Sequence, residues 1–171
     1  MITGYVLKYT DENVNTDLIW PGKFTYVTIP REEMPDKVMK EYDSEFHEKI
    51  RERSVLAVGR NFGCGSSREQ PAVALKEAGI EAIIAPHFAW IFERNCTAHG
   101  LVAIASEELY TMLETDSYVR LDIENGAAYV RCAPGQPVVR VSYDAFPRAI
   151  VEQICMGGLT ERLRRRFGDN Q

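Results

Sequence analysis

Hydrophobic and polar positions change period several times along this chain. Gly4–Tyr9, "GYVLKY", is a short apolar run bounded by turn residues and predicts a first strand. Thr10–Gly22 is turn-rich with a short apolar insert, and Arg31–Arg51 is charged and mostly helical in propensity, with Pro35 restricting where a helix can run. This second stretch reads as solvated helix and loop. A regular alternation follows. Strand Ser54–Gly59 leads through a glycine-rich turn into a helix from about Arg68 to Ala78; strand Ile80–Ala85 leads into helix His87–His99, and strand Leu101–Ala105 into helix Ser106–Glu114. Successive strand–helix units imply a partly parallel sheet with flanking helices, an α/β fold. Tyr118–Cys132 predicts two strands around Asn125-Gly126, a strong hairpin signal, and Asp144–Phe167 predicts helix broken at Gly157-Gly158.

Composition narrows the picture. The 171 residues are 45% hydrophobic, enough for one domain with a substantial core, and no repeat or low-complexity linker divides 1–171. The net charge of −5 and the lack of a basic stripe interleaved with aromatics exclude nucleic acid as the expected partner. No basic region followed by an apolar core opens the chain, and no apolar stretch reaches membrane-spanning length, so the expected location is the cytoplasm, with no membrane partner. Cys64, Cys96, Cys132 and Cys155 lie far apart without a CxxC pair, which signals neither a disulfide framework nor a local metal motif.

Candidate chemistry concentrates in "NFGCGSSRE", Asn61–Glu69. Gly63 and Gly65 free the backbone just before a helix start, where unpaired N–H groups favour an anion. Ser66 with Glu69, and Ser67 with Gln70, both fit a capping box, and Pro71 suits a first helical turn. A capped helix does not need Arg68, however. An arginine at that place can grip a carboxylate through two charge-assisted bonds while loop amides and serine hydroxyls hold a second acidic group, and it favours an anion site over a plain cap. The turn lacks the lysine of a phosphate loop, the third glycine of a dinucleotide fingerprint and the serine spacing of a hydrolase elbow. Cys64 with His87 or His99 is a nucleophile pair only if the fold unites them; a loop cysteine is the simpler reading.

Gly59–Leu101, containing "GRNFGCGSSREQPAVALKEAG", resembles the signature region of the small subunits of 3-isopropylmalate dehydratase, swivel-domain relatives of aconitase. "NTDLIWPGKF", Asn15–Phe24, is similar to that family's second motif, Asp-Thr-Asp followed by an apolar pair and proline, and the closing "GGLTERLRRRF" resembles its tail. The resemblance implies an aconitase-type swivelling β/β/α domain with an added β-hairpin. It implies a hydro-lyase that reversibly dehydrates and rehydrates a hydroxy dicarboxylate, interconverting 2- and 3-isopropylmalate in leucine biosynthesis. Related reactions on dimethylmalate or homoaconitate, and a non-catalytic acid-binding module, stay open. The family's four-iron four-sulfur cluster, whose open iron acts as Lewis acid on the leaving hydroxyl, is implied on a partner large subunit in a heterodimer or heterotetramer, with no cofactor or metal on this chain. By motif position, Ser66 resembles the serine that takes the proton alpha to a carboxylate. Gly65, Ser67 and Arg68 resemble its substrate-binding neighbours, and Asp17, Lys23, Thr25 and Tyr26 stand where the family lines its substrate pocket. Four departures from the family pattern are Asn15, Trp20, Gln70 and "HFAW", His87–Trp90. Trp20 and Trp90 read as core residues, and His47 and the arginines Arg162, Arg164, Arg165 and Arg166 as solvated surface.

Overall fold

The computed structural model describes residues 1–168. Seven strands form one sheet: β1 (Ile2–Lys8), β2 (Arg53–Ala57), β3 (Ala82–Ala85), β4 (Val102–Ala105), β5 (Tyr118–Asp122), β6 (Ala127–Arg131) and β7 (Val139–Ser142). Their order is β4-β3-β2-β1-β5-β6-β7. The first four run parallel, and β5, β6 and β7 continue antiparallel from β1. The expected hairpin is therefore part of a three-stranded meander. β7, although Val139-Arg140-Val141-Ser142 alternates, is missing from the expected elements; as the last strand it buries Val141 and leaves Val139 42% exposed.

Adjacent residues of the parallel strands serve opposite faces, as the pleat requires. Leu7, Leu56, Ile83 and Ala103 face one core, which they share with α1 (Thr16–Ile19), α3 (Gln70–Glu77) and α4 (Trp90–His99). Val6, Val55, Ala82, Ile84 and Val102 face the other. That second core is closed by α5 (Glu107–Met112), α6 (Arg148–Cys155) and the inward residues of the meander, Val119, Leu121, Ala128 and Val130. Burial on both faces explains why β2 to β4 read as continuous apolar runs. The last helix, α7 (Leu159–Phe167), has no buried residue, in keeping with the solvated arginines expected there.

The stretch expected to be solvated is corrected by the structure. Between Arg31 and Ile50 the chain is mostly turns, with a single 3-10 turn at Arg31–Glu33 and the short helix α2 (Phe46–Lys49), yet Met34, Val38, Met39, Phe46 and Ile50 are all buried in the first core. Charged residues outnumber them in this stretch, so composition hides what the turns bury. Asp43 organises the segment: its carboxylate accepts from Tyr9 Oη at 2.6 Å, Lys49 Nζ at 2.7 Å and the Glu45 N–H at 3.0 Å. Burial alone would raise its pKa, but these donors hold it below the usual carboxylate range. Trp20 is a core residue as expected, 1% exposed, but Trp90 is 64% exposed with the Arg94 guanidinium over its ring.

The carboxyl ends of β1, β2 and β3 point to one edge, and the loops that leave them continue to pair there. Asn15 bridges Cys64 and Phe62 bridges Phe88, both in parallel sense. The second bridge also explains why α4 starts at Trp90 rather than His87: residues 87–89 run extended, with His87 O accepting from Asn61 N and Ala89 N donating to Phe62 O. The wholly buried Phe46 side chain tests the unexpected part of this core. Phe46→Ala is expected to cost about 3–5 kcal/mol in urea unfolding, where a solvated segment would change stability by less than about 0.5 kcal/mol.

Candidate functional site

The glycine turn takes its shape from contacts far away in sequence. Asn15 caps α1, its side-chain oxygen accepting from Asp17 N at 2.9 Å and Leu18 N at 3.0 Å. The cap turns Thr16 inward, where it is 1% exposed, and leaves the Asp17 side chain 63% exposed. Two backbone bonds then dock this loop against the turn, Gly63 N to Val14 O and Thr16 N to Cys64 O, both 2.8 Å. At Gly63, φ is +78° and a β-carbon would collide with the Phe92 ring, so both conformation and space demand glycine. Gly65 has φ +104°, and Thr16 Oγ1 accepts the next N–H, that of Ser66, at 3.0 Å.

Helix α3 begins two residues later than expected. Glu69 occupies its N-cap position without a side-chain cap bond, so neither expected capping box forms. The Ser66 hydroxyl oxygen instead accepts from Arg68 Nε at 3.0 Å and Arg68 N at 3.3 Å. The remaining guanidinium nitrogens are also engaged: Nη1 donates to Thr25 Oγ1, and Nη2 to an Asp17 carboxylate oxygen. Arg68 is only 19% exposed on its side chain, whereas Gly65, Ser66 and Ser67 are all exposed. One guanidinium thus links three segments, and it presents its donors where a carboxylate can compete with Asp17 for them.

Three of the residues singled out from sequence, Asp17, Thr25 and Ser66, are therefore each hydrogen-bonded to a fourth, Arg68. Gly65 shapes their turn, and Ser67 is exposed on it. Lys23 is held elsewhere, in an ion pair with Glu41 at 2.7 Å. Tyr26 is 95% exposed. Thr25 and Tyr26 border a groove of about 360 Å³ with Trp20, Phe24, Val27 and Gln70. Beside it lies the single buried side-chain donor without a partner among the described residues, Trp20 Nε1. The thiol of Cys64 donates to Asn13 O at 3.3 Å, and His99 pairs with Glu69 at 2.9 Å, so the fold does not assemble a cysteine–histidine pair from them.

Two supports escaped sequence reasoning. Thr16, between Asn15 and Asp17, carries no sequence signal of its own, and only the fold reveals that its hydroxyl holds Ser66. Asn95 donates its side-chain amide to Ser67 O at 3.2 Å and Arg68 O at 3.1 Å; its one sequence signal is a poor helix former in the middle of a helix.

Residues 12–109, which carry both motif loops and the parallel strands β2, β3 and β4, match the aconitase C-terminal domain family. Fold and turn together define an aconitase C-terminal-type domain. The chain is 38% identical over 161 residues to the 3-isopropylmalate dehydratase small subunit of Caldanaerobacter subterraneus subsp. tengcongensis, covering 94% of this chain and 96% of that one. It is 36% identical over 172 residues to the protein of the same name from Sulfurisphaera tokodaii, covering 100% and 98%. The crystal structure of 3-isopropylmalate dehydratase (leuD) from Methanocaldococcus jannaschii superposes with a TM-score of 0.79 at 32% identity, covering 96% of this chain and 94% of that one. Within the aconitase C-terminal class, the chain belongs to the family of 3-isopropylmalate dehydratase small subunits.

The hydroxyl of Thr16 offers a direct test of how the turn is held. Thr16→Val keeps the shape but leaves the Ser66 N–H without its acceptor, and the expected cost is about 1–2 kcal/mol in urea unfolding. An unchanged midpoint would show that the Ser66 N–H is satisfied without Thr16.

Proposed function

We propose that this chain is the small subunit of a 3-isopropylmalate dehydratase and contributes the base and a carboxylate clamp to the reversible dehydration of isopropylmalate. The observation that carries the reading is the pair of N–H donors that Arg68 directs onto the Ser66 hydroxyl oxygen. A serine hydroxyl is ordinarily a weak base. Two donors, one of them cationic, favour its ionised form over the neutral one and so raise the fraction able to remove a proton. In this reading the Ser66 oxygen takes the proton from the carbon alpha to a carboxylate as the hydroxyl leaves the neighbouring carbon, and returns it on rehydration. The Arg68 guanidinium exchanges Asp17 for a substrate carboxylate, with the Ser67 hydroxyl and the loop amides beside it.

The family's four-iron four-sulfur cluster does not fit this chain. Cys96 is buried, with its thiol pushed up by burial, Cys64 and Cys132 are half-buried, and Cys155 is exposed. No three metal-ligating side chains converge among the described residues. The reading assigns the cluster to a large subunit, which also covers the exposed turn; exclusion of water there strengthens the bonds of Arg68. No helix among the described residues is long and apolar enough to cross a membrane, and we assign the enzyme to the cytoplasm.

The groove supports an alkyl substrate. Its lining, from Trp20 and Phe24 through Val27 to Met34 and Gln70, is neutral, and the nearby Lys23 ammonium is held by Glu41. A third carboxylate seated there would be desolvated without a cationic partner.

With the complex reconstituted from both subunits, Ser66→Ala is expected to lower kcat by roughly 10²–10⁴-fold while assembly persists. Arg68→Lys should mainly raise KM, because a point charge does not reproduce the bidentate fork. Full turnover in Ser66→Ala would reduce the turn to a structural element. The same complex is expected to give a higher kcat/KM on isopropylmalate than on homoaconitate, and the reverse order would refute the alkyl assignment.

A further inference from the structure

Helix α4 presents three residues to the glycine turn from one face. Phe92 lies against Gly63, Asn95 donates to the carbonyls of Ser67 and Arg68, and His99 pairs with the Glu69 carboxylate. The spacing of three and then four residues puts them on adjacent turns of the helix. Phe92 and His99 fix the two ends of the turn. Asn95 acts at its centre, on the two peptide groups that follow Ser67 and Arg68.

The peptide bonds are trans, so each C=O and the N–H of the same unit point in opposite directions. When Asn95 draws the Ser67 carbonyl toward α4, the Arg68 N–H is turned the other way, and that N–H is the one found 3.3 Å from the Ser66 oxygen. When it draws the Arg68 carbonyl, the Glu69 N–H is likewise turned away from α4, where no acceptor from this chain meets it among the described residues. A rotation of the first peptide by half a turn would aim a carbonyl at Ser66 in place of an N–H. A carbonyl dipole beside the hydroxyl disfavours the ionised form that the donors favour.

We infer that Asn95 is a positioning residue for the reaction: it orients the Ser67–Arg68 and Arg68–Glu69 peptides so that their N–H groups face the Ser66 oxygen and the substrate side of the turn. The inference rests on Ser66 acting as the base. It assigns Asn95 no contact with the substrate, and its effect passes through Ser66.

A double-mutant cycle on the reconstituted complex separates this role from simple support of the fold. Asn95→Ala is expected to lower kcat by roughly 10–100-fold, the scale of a misplaced catalytic group, with KM changed by less than about threefold. In the Ser66→Ala background, the same substitution should change kcat by less than about threefold, because the oxygen being served is gone. Equal losses in both backgrounds would show that Asn95 only supports the fold, and no loss in the wild-type background would also overturn the inference. Should Asn95→Ala fail to assemble, Asn95→Asp keeps the shape, removes the donor and completes the same cycle. Full activity in Ser66→Ala alone would instead overturn the assignment of the base.

Discussion

At Gly63 two loops and a helix meet with no room for a side chain, its N–H on Val14 O at 2.8 Å and the Phe92 ring where a β-carbon would lie. The rest of the working edge depends on that approach. It brings the loop after β1 alongside the loop after β2, which lets Thr16 reach Ser66 and Asp17 reach Arg68. Because the same glycine rests on α4, the helix is set at the distance from which Asn95 and His99 reach the other half of the turn. Backbone hydrogen bonds make such an approach specific in register as well as in distance, since shifting either loop by one residue would leave buried N–H and C=O groups unpaired. The site is thus an extension of the parallel sheet beyond its carboxyl edge, where α/β folds commonly bind ligands.

Electrostatics then divide the edge into a held part and an open part. Arg68, mostly covered, distributes its donors over Ser66, Thr25 and Asp17, whereas Gly65, Ser66 and Ser67 face solvent. An Asp17 carboxylate on the guanidinium stands in for the acid that the proposed reaction brings, so the arginine is kept in place without being buried unpaired. In the proposed reaction the exposed serines are one half of a site that the large subunit completes. A base served by two donors gains most when a second surface lowers the local dielectric, which gives the proposed large subunit a physical task beyond carrying its cluster.

Much of the fold was readable from local periodicity. Strands β1 to β6 and helices α3 to α6 lie where the apolar pattern put them, to within a few residues at their ends, because each buries a face whose spacing is written in its own residues, and α7, which buries none, follows the break expected at Gly157-Gly158. The pattern failed where burial and period part company. Residues 34 to 50 fill a core through turns, β7 pairs on one side only, and Trp90 is exposed where Trp20 is buried. Neither tryptophan's immediate neighbours distinguish the two outcomes. Trp20 follows α1 beneath the loop docked by Gly63, whereas Trp90 opens α4 at the surface.

The site divides in the same way. The sequence by itself determined the turn chemistry, two glycines, two serines and an arginine just before a helix, because they lie within nine consecutive residues, and the likeness to the small-subunit family, because its motifs are each continuous in the chain. It determined that Asp17 and Thr25 were worth watching only through that likeness. What the tertiary structure decided was which groups meet: Thr16 with Ser66 across 50 positions, Arg68 with Thr25 across 43 and with Asp17 across 51, and Asn95 with the two carbonyls across 28 and 27. It also decided that the serine oxygen faces donors rather than capping α3, and that Lys23 answers to Glu41. Such meetings depend on strand order and on the register of β1 against β2, which arise from the summed burial of two cores. No short window of sequence contains that sum.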